Sequence, residues 1–574
     1  MLKYLKKYWL WCVLAPLFML GEITMDLIQP DLMADIVDNG VLTGNMPVIA
    51  ETGTKMLVLV LSGGICGVLS GVFANFAAQG FGNDLRKAVF EKIMKLSFQQ
   101  TDEFSTGSLI TRLTNDVTQV QTMVMMSVRS VIRCGIMFFG GIVMLRLQSA
   151  RFARVAAYGL PFVAAFVWFF MKKASPLFSV VQEKLDRINC IMQENIAGAR
   201  VVKAYVREKH ELGRFDEANE ELSGINLRVQ YLLAFMNPCM NIVLNTCVVG
   251  IIIAGGYSVR TGGGVTPGEI MAAITYMSMI LHGMMFLANI FQTFTRAAAS
   301  RKRICEVLEC RISICDGEGE CKACEKGTVE FRDVSFSYPN SSGQLVLEDI
   351  SFFVGSGETV AIIGATGSGK TTLVSLIPRF YDVTCGAVLV DGVNVKDYSL
   401  EALRDRIAIA AQKTELYSRS VEANIRWGRD EARPAEIKKA AETAKADEFI
   451  CESEYGYHTQ VAEGGRSLSG GQKQRISIAR AVLKKAEILI FDDSTSALDL
   501  KTESELQQAL REECPGITKI IVAQRIASVK DADRIIVLDG GRISACGTHS
   551  ELFAESEIYR DICISQLKEG ESEK

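Results

Sequence analysis

The first 300 residues alternate between long apolar runs and polar, basic stretches, whereas the rest of the chain mixes short apolar runs with polar turns. Each apolar run approaches the roughly 20 residues that an α-helix needs to cross a bilayer. One such run could also be a buried helix of a soluble protein, so the interpretation depends on their succession. The pattern predicts six membrane-spanning helices, at residues 9–28, 56–81, 128–145, 155–171, 242–259 and 270–294.

Two polar segments between the spans, residues 82–127 and 172–237, contain few helix-breaking residues. They predict that the spans continue as helices outside the bilayer, with a rise of about 1.5 Å per residue. Each segment has one break, at Thr106-Gly107 and at Gly198. These breaks either form short transverse helices that contact the second half of the chain or are ordinary kinks.

The second half begins with alternating positions typical of strands and then places an apolar β-branched run, residues 359–363, before a glycine-rich loop. Residues 364–371 read GATGSGKT, which fits the phosphate-binding pattern G-x-x-x-x-G-K-[ST] at every fixed position. A helix-forming run follows. Strand, loop and helix are the context that this motif requires, which favours a phosphate-binding loop over a chance glycine-rich turn.

This loop predicts ATP and Mg²⁺ as ligands. Its glycines let backbone N–H groups surround phosphate oxygens at the positive end of the helix. Lys370 would reach the β- and γ-phosphates, and Thr371 would hold Mg²⁺. The predicted nucleotide-binding residues of the loop are Gly364, Ala365, Thr366, Gly367, Ser368, Gly369, Lys370, Thr371 and Thr372.

Further characteristic stretches follow the loop. An apolar run ends at Gln412, and the sequence LSGGQ at 468–472 opens a helix. The apolar run 488–491 reads as a buried strand that ends at Asp492, a position suited to hold Mg²⁺ through water. With LSGGQ lying between a phosphate loop and such a strand, the chain resembles the ATP-binding cassette (ABC) superfamily.

Six spans ahead of one cassette resemble a half-transporter of the exporter type, and the resemblance covers nearly the whole chain. Residues 104–117 and 198–208 resemble the two cytoplasmic coupling regions of exporters, and residues 299–309 resemble the exit from the last span. The expected fold is an α-helical six-span transmembrane domain of the ABC exporter type followed by an α/β P-loop nucleotide-binding domain. The expected boundaries are 1–310 for the transmembrane domain, 311–327 for a linker and 328–574 for the nucleotide-binding domain.

The resemblance implies that two cassettes close head to tail around two ATP molecules, each held between one phosphate loop and the partner's LSGGQ. It implies that Tyr338 stacks on adenine and that Thr371, Gln412 and Asp492 serve Mg²⁺ and its waters. The residues that would contact the ATP held by the partner are Ser469, Gly470, Gly471 and Gln472.

Two positions depart from the family pattern. Asp493 stands where the family usually has the glutamate that polarises the attacking water, and Gln524 stands where it usually has a histidine. Aspartate is one methylene shorter, and a misplacement of about an ångström can lower the rate on the order of a hundredfold. Glutamine can hydrogen-bond to phosphate but cannot carry a proton or a positive charge. The chain's own site is therefore expected to bind ATP but to hydrolyse it slowly.

Because LSGGQ is intact, the chain should complete a working site built on another chain's phosphate loop. The sequence therefore predicts a heterodimeric exporter whose second half-transporter carries the usual glutamate and histidine. Two alternatives stay open. One is a slow homodimer that exports lipids or peptides, and the other is a membrane subunit that binds ATP as a regulatory ligand without pumping.

Glu22 and Asp26 are unusual charges in the first predicted span and share one helix face. Carboxylates inside a membrane often line a pathway, which favours an amphipathic and cationic small molecule, as in multidrug exporters. The alternative is a pair near the outer mouth that is solvated or neutralised by Arg129 or Arg133. Lipid and peptide substrates also stay open.

Charge and cysteine content restrict the setting. A net charge of −4 gives no sign of nucleic-acid binding, and the 16 scattered cysteines do not form a secreted disulfide framework. Cys321 and Cys324 have the spacing of metal ligands, but no histidine lies nearby, so a reduced, metal-free linker is expected.

The basic residues predict the orientation. Three lysines precede the first span without a cleavable signal peptide, which places the N-terminus in the cytoplasm. Three arginines between residues 146 and 154 then fall beside an outer loop, against the rule. We retain this topology because the nucleotide-binding half must meet cytosolic ATP. The chain is expected to be an integral protein of a bacterial plasma membrane.

Overall fold

The computed structural model describes residues 1–261, 264–317, 326–338 and 343–572. The chain separates into two compact units. The first contains Met1–Met94 and Thr106–Cys310, and the second contains Lys95–Ser105 and Arg311–Lys574. A short segment between two helices of the first unit thus belongs, by its contacts, to the second.

Long helices dominate the first part of the chain, and the helices Trp9–Asp35, Ala150–Ala197 and Glu208–Arg260 continue through internal prolines. Stretches of π-helix interrupt or extend them at Ile36–Val41, Arg112–Asp116 and Ser127–Val131. The α-helices in chain order are α1 (Leu2–Lys6), α2 (Trp9–Asp35), α3 (Met46–Met94), α4 (Phe98–Phe104), α5 (Thr106–Thr111), α6 (Val117–Met126), α7 (Ile132–Gln148), α8 (Ala150–Ala197), α9 (Ala199–Ala204), α10 (Glu208–Arg260) and α11 (Pro267–Glu309).

Among the described residues, five helical stretches are long and apolar enough to cross a membrane. They are Trp9–Val41, Met46–Met94, Thr106–Gln148, Ala150–Phe170 and Pro238–Arg260. The first five predicted spans fall within them, except that the fourth ends one residue beyond Phe170. The sixth, at residues 270–294, falls within α11, which is not among the five, so the count of six stays a prediction.

Both predicted breaks are followed or preceded by a short helix. Ser105 has a positive φ of 56° and separates α4 from α5 directly before Thr106-Gly107. Gly198 ends α8, and α9 begins at the next residue. Helix α4 starts from Ser97, whose hydroxyl accepts from Gln100 N while the Gln100 side chain accepts from Ser97 N. This capping box satisfies two backbone donors that a helix start would otherwise leave unpaired.

Helix α4 is attached to the second unit by specific contacts. The Phe98 ring lies 4.4 Å from the Phe380 ring, centroid to centroid. Gln100 Nε2 donates to Arg311 O over 2.5 Å, and Tyr381 OH donates to Asp102 Oδ2 over 3.3 Å. The first predicted break therefore yields a short helix that contacts the second half of the chain.

Two sheets form the scaffold of the second unit. A four-stranded antiparallel sheet has the order β2-β1-β4-β5, and a six-stranded sheet has the order β10-β9-β3-β8-β7-β6 once strands are numbered along the chain. The strands are β1 (Val329–Phe336), β2 (Leu347–Val354), β3 (Thr359–Ile363), β4 (Cys385–Val390), β5 (Val393–Asn394), β6 (Ile407–Ala410), β7 (Ile488–Asp492), β8 (Thr518–Val522), β9 (Arg534–Asp539) and β10 (Arg542–Gly547).

Helices surround these sheets and bury their apolar faces. The α-helices are α12 (Lys370–Leu376), α13 (Leu400–Asp405), α14 (Val421–Arg426), α15 (Pro434–Thr443), α16 (Asp447–Glu452), α17 (Gly470–Leu483), α18 (Leu500–Glu513), α19 (His549–Glu555) and α20 (Glu557–Ser572). Single turns of 3₁₀-helix occur at Gly456–His458, Glu463–Gly465 and Ile526–Ser528.

The larger sheet explains why distant residues meet. Strands β6, β7, β8, β3 and β9 run parallel, so their carboxyl ends lie along one edge. In β7 and β8 every residue is buried, which fits their continuous apolar sequences. Open parallel sheets bind ligands outside this edge, and the phosphate loop leaves it from β3.

Candidate nucleotide-binding site

Four predicted site segments converge at this edge because their strands are neighbours. Gly364 follows β3, Asp493 follows β7, Gln524 lies two residues after β8, and Gln412 lies two residues after β6. They span 160 residues of sequence, from 364 to 524. The order of β3, β8, β7 and β6 alone brings them together.

The phosphate loop requires glycine at specific points. A Cβ at Gly364 would lie 2.1 Å from Leu538 O, and one at Gly369 would lie 2.8 Å from Leu347 Cδ2. Gly369 also has a φ of +97°, which side chains other than glycine rarely adopt. Gly369 caps the start of α12, so the loop delivers its backbone directly to a helix N-terminus. A cradle of backbone N–H groups at this position is suited to phosphate.

Lys370 is held across the loop. Its Nζ donates to Gly364 O and Ala365 O, each over 2.8 Å, and the residue is buried. Burial lowers the pKa of this ammonium group, and the nearby carboxylates of Asp493 and Asp492 act in the opposite direction. The only positive charge in the loop therefore lies where phosphate charge would compensate it.

Thr371 and Asp492, both predicted to serve Mg²⁺, contact each other. Thr371 Oγ1 donates to Asp492 Oδ1 over 2.9 Å. Burial raises the pKa of Asp492, and the hydrogen bond from Thr371 partly offsets that effect. A hydroxyl beside a buried carboxylate offers the oxygen ligands that Mg²⁺ prefers.

Asp493 is bound by both glutamines of the site. Its Oδ2 accepts from Gln412 Nε2 over 3.0 Å and from Gln524 Nε2 over 2.9 Å. The residue is buried, has a positive φ of 47°, and its backbone N donates to Val522 O over 2.9 Å. Both departures from the family pattern thus contact each other, and one oxygen of the short carboxylate already has two amide donors.

Helix α20 fixes the segment that carries Gln524. Gln566 Nε2 donates to Gln524 O over 2.6 Å, and Gln566 Oε1 accepts from Ile526 N over 2.8 Å. Sequence analysis did not identify Gln566, since a lone glutamine in a polar helix gives no local signal. The contact positions Gln524 beside Asp493.

Tyr338, the residue expected to stack on adenine, lies next to the helix that follows the loop. Its hydroxyl is 3.0 Å from Thr372 Oγ1, and its ring packs edge-on against Phe336 and Tyr381. The ring is half-buried. This placement brings Tyr338 close to α12, while the stacking role stays a prediction.

The LSGGQ segment opens α17 through a capping box. Ser469 Oγ accepts from Gln472 N over 3.2 Å, and Ser469 N donates to Gln472 Oε1 over 2.9 Å. A Cβ at Gly471 would lie 3.0 Å from Ala497 O, so the next loop requires glycine there. Gln474 Oε1 also accepts from Ala497 N over 3.0 Å. The start of α17 and the loop at 496–499 are therefore joined, through a residue that sequence analysis missed.

The residues present fit Mg-ATP. Ser368 Oγ is buried and, among the described residues, has no hydrogen-bond partner, as expected for a hydroxyl that would bond to a phosphate oxygen. Lys370, the loop backbone and Thr371 would hold the phosphates, and Asp492 and Gln412 would hold Mg²⁺ and its waters. Bound Mg²⁺ would neutralise charge on the β- and γ-phosphates.

The remaining predicted residues lie elsewhere. Glu22 Oε1 accepts from Arg133 Nη1 over 3.1 Å in the first unit, and Asp26 Oδ2 lies 3.9 Å from Arg133 Nη2. This contact favours the neutralised pair over the cation pathway. Cys321 and Cys324 lie outside the described residues.

Comparison with known protein families gives two matches. Residues 12–285 match the ABC transporter transmembrane region, and residues 347–496 match the ABC transporter model. A solved structure of a bacterial Atm1-family ABC exporter with ATP bound superposes with a TM-score of 0.82 at 25% identity. That superposition covers 96% of this chain and 98% of the other.

Curated relatives align along almost the whole length. The uncharacterised ABC transporter ATP-binding protein YfiB of Bacillus subtilis (strain 168) is 39% identical over 570 residues, 99% of each chain. The ATP-dependent lipid A-core flippase of Syntrophus aciditrophicus (strain SB) is 35% identical over 90% of this chain and 85% of its own. The putative multidrug export ATP-binding/permease protein YgaD of Bacillus subtilis (strain 168) is 34% identical over 86% of this chain and 85% of its own.

Proposed function

We propose, starting from the fact that this chain belongs to the ABC transporter family, that it is one subunit of a heterodimeric exporter with unequal ATP sites. Family and fold establish a helical transmembrane domain, an ABC nucleotide-binding domain and transport driven by ATP. The finer proposal is that the two ATP sites of the dimer differ in their rate of hydrolysis. This chain's own site binds Mg-ATP and turns it over slowly, while its LSGGQ completes the faster site on the partner.

The arrangement around Asp493 is the observation that carries this proposal. Hydrolysis needs a carboxylate that reaches the attacking water, and Asp493 is both shorter than glutamate and bound at Oδ2 by Gln412 and Gln524. Gln524 also cannot supply a charge to the γ-phosphate. Loss of an effective general base lowers rates by about 10²–10⁴-fold. Binding uses Lys370, Thr371 and the loop backbone, none of which is altered.

The LSGGQ segment supports the second part of the proposal. Ser469 and Gln472 cap α17, and Gly471 keeps the segment against Ala497. Backbone N–H groups at the start of this helix would face the γ-phosphate of ATP held by the partner. No residue of LSGGQ departs from the family pattern, as expected if this segment completes a site in which the partner's phosphate loop holds the ATP that is hydrolysed.

Helix α4 supports coupling between hydrolysis and transport. It is part of the second unit by its contacts with Phe380 and Arg311, and it is continuous in sequence with α3 and α5 of the first unit. We therefore propose that α4 is the segment through which the nucleotide-binding domain acts on α3 and α5. We place this domain and the N-terminus in the cytoplasm of a bacterial cell.

The transported compound is proposed to be an amphipathic small molecule. One relative is named as a lipid A-core flippase and another as a putative multidrug export protein, which supports a substrate of this kind. The proximity of Arg133 to Glu22 and Asp26 weakens the argument for a cationic substrate, because one of the two negative charges already has a counterion.

The proposal is tested by Mg-ATP hydrolysis. The chain is purified alone and, in parallel, co-expressed with a second half-transporter that carries the usual glutamate and histidine. Activity should appear in the pair. It should change by less than about twofold when Asp493→Asn is introduced, and fall on the order of a hundredfold when the partner's catalytic glutamate becomes glutamine.

Two results would replace the proposal. Full activity from this chain alone, abolished by Asp493→Asn, would establish a homodimer in which aspartate is a competent base. ATP binding that changes the shape of the assembled pair without any ATP-dependent flux of amphiphiles into inverted vesicles would establish a regulatory subunit.

A further inference from the structure

A cavity of about 420 Å³ lies in the first unit between α3, the helical stretch that contains α6 and α7, and α11. Small-molecule sites commonly have volumes of about 300–1,000 Å³. Its wall combines apolar side chains with nitrogen-bearing ones. The residues on which the argument rests are Met125, Arg129, Arg133, Met137, His282 and Phe286.

The two arginines of the wall differ in their partners. Arg133 contacts two of the four carboxylates of α2, Glu22 at 3.1 Å and Asp26 at 3.9 Å, so its charge is compensated. Among the residues that the structure describes, Arg129 forms neither an ion pair nor a hydrogen bond. Both arginines belong to a stretch long and apolar enough to cross a membrane. An ionised side chain in such a stretch is costly and indicates a functional site.

Two glycines one turn apart on α3 make room for these charges. A Cβ at Gly67 would lie 2.8 Å from Glu22 Cδ, and a Cβ at Gly71 would lie 3.2 Å from Arg129 Nη1. The guanidinium group of Arg129 therefore lies against bare helix backbone. Glycine at this position lets the charged end stay beside the cavity instead of extending along the outside of α3.

His282, on α11, adds a further nitrogen-bearing side chain to the cavity wall beside the two arginines. Its Nδ1 lies 2.8 Å from Ser278 O, a carbonyl that can only accept, so Nδ1 carries the hydrogen. The other ring nitrogen is then available to a ligand's hydroxyl or, when the ring is protonated, to an anion. Met125, Met137 and Phe286 each lie four residues from Arg129, Arg133 or His282 on the same helical stretch, so apolar and nitrogen-bearing side chains alternate along the cavity wall.

We propose that this cavity binds an amphiphile with an anionic headgroup, held by Arg129 over the bare backbone at Gly71, with its apolar part against the methionines and Phe286. The headgroup chemistry is that of a phosphate, sulfonate or carboxylate, which a guanidinium recognises through paired hydrogen bonds. That this ligand is the transported compound rests on the proposed exporter function. The site itself rests on the cavity and on the uncompensated arginine.

Simple anchoring of Arg129 at the membrane interface explains less. An arginine that reaches for lipid headgroups extends its side chain away from the apolar core. Arg129 is only half-exposed, lines the cavity and lies against α3. Arg146 provides the contrast, since it is exposed and lies near the end of α7, outside the cavity lining.

The test is equilibrium binding without ATP. The full-length protein, in the dimer in which it purifies, is placed in phosphatidylcholine nanodiscs and titrated into a fluorescent dodecyl phosphate, with dodecyltrimethylammonium as the cationic counterpart. Binding of the phosphate should saturate, and Arg129→Gln should weaken it about tenfold, as loss of a charge-assisted hydrogen-bonded pair does. Arg146→Gln, the same change outside the cavity, should leave it unaltered.

Arg129→Lys keeps the charge and should retain part of the affinity, which separates a binding role from a folding role. Equal weakening by Arg129→Gln and Arg146→Gln would overturn the proposal, as would tighter binding of the cationic amphiphile. Adding phosphatidylglycerol identifies the source of the headgroup: competition with the probe means a bilayer lipid, and its absence means a freely partitioning amphiphile.

Failure of this proposal and failure of the exporter proposal give different results. Saturable binding through Arg129 without ATP-dependent flux would leave the site standing and remove the exporter function. ATP-dependent flux that is indifferent to Arg129→Gln would leave the exporter and remove the site.

Discussion

This chain carries two halves of nucleotide machinery that differ in how closely they follow the family pattern. The phosphate-loop half has the residues expected to bind Mg-ATP, Lys370, Thr371 and Asp492, but departs from the pattern at Asp493 and Gln524, the two positions expected to serve hydrolysis. The LSGGQ half keeps Ser469, Gly471 and Gln472 together with their capping contacts. This contrast is the basis for our proposal that the chain's own site binds Mg-ATP but hydrolyses it slowly.

The contacts show how polar groups are satisfied in each half at the positions where the two halves differ. In the LSGGQ half, side chains satisfy the backbone of α17, and Gly471 is required by the close approach of Ala497 O. In the other half, Asp493 and Gln524 bond to each other, so the two departures form a mutually satisfied pair. A buried carboxylate left without donors would be costly. Asp493 avoids that cost because both Gln412 and Gln524 donate to its Oδ2.

The largest expected effect comes from damage to the intact half. Gly471→Val would place its Cβ 3.0 Å from a backbone oxygen that cannot move without shifting the loop at 496–499. ATP hydrolysis by the assembled pair should fall about 10²–10³-fold, as it does when a transition-state donor is lost. The measurement is steady-state hydrolysis by the pair.

The control for this variant is Gly213→Val in α10, where a Cβ would meet nothing within 4 Å. It should leave hydrolysis unchanged. Labelled ATP should still bind the loop of this chain in the Gly471→Val pair. Hydrolysis that survives Gly471→Val would mean that the LSGGQ of this chain is not used, and the contrast between the halves would fail.

Repair of the altered half should produce the next largest effect. Asp493→Glu with Gln524→His restores both the reach of the carboxylate and a group that can carry charge. Hydrolysis at this chain's own site should rise on the order of a hundredfold, the cost of about one ångström of misplacement. It is measured in a pair whose partner has lost its catalytic glutamate, so that the partner's site is silent.

Each single change tests whether Asp493 and Gln524 act as a unit. If the two positions are coupled, Asp493→Glu alone should gain much less than the double variant, because its carboxylate would still face an amide. Additive gains would show instead that the hydrogen bond between them has no catalytic consequence. No gain from the double variant would move the cause of slow hydrolysis elsewhere.

Much of this picture is available from the sequence because the informative signals are local. The phosphate loop is eight consecutive residues, and LSGGQ is five. The sequence correctly predicted that the chain belongs to the ABC transporter family and that a helical domain precedes a nucleotide-binding domain. The roles assigned to individual site residues stay predictions.

Contacts across the sequence could not be predicted. Gln412 and Gln524 lie 81 and 31 residues from Asp493, and only the order of the strands brings their amides to one oxygen. Helix α4 gives no local sign that it belongs to the second unit. For Glu22 and Asp26 the sequence left a cation pathway and neutralisation by Arg129 or Arg133 both open, because it does not show which side chains meet across more than a hundred residues.

A smaller effect concerns Mg²⁺ at the altered half. Burial raises the pKa of Asp492 above its ordinary 3.8, so this carboxyl takes up a proton at a higher pH than an exposed aspartate does. Mg²⁺ needs the ionised form. Mg²⁺-dependent nucleotide binding should therefore weaken about tenfold for each pH unit below the raised pKa. Fluorescent ATP binding across the acid range measures this.

Binding in the presence of EDTA corrects for protonation of the nucleotide itself, and Asp492→Asn provides the second control. The variant should lose the Mg²⁺-dependent part of the affinity and with it the pH dependence. A pH profile that is the same in the wild-type chain and in Asp492→Asn would show that Asp492 does not hold the metal.

The smallest expected effect is that of Gln566→Ala, which distinguishes a site that hydrolyses ATP from one that only binds it. Its side chain makes two hydrogen bonds to the backbone around Gln524, each worth about 1 kcal/mol in net stability. In the repaired background, Gln566→Ala should lower hydrolysis at this chain's own site about fivefold, because residue 524 loses its support. In the native background, hydrolysis by the pair should be unchanged, since our proposal gives position 524 no part in hydrolysis there.

Gln508 is an exposed glutamine on α18, and Gln508→Ala is the matched control. It should leave hydrolysis unchanged in both backgrounds. Equal losses in both backgrounds would make Gln566 a general stabiliser of the domain. A loss confined to the repaired site would show that α20 still positions a catalytic element that this chain no longer uses.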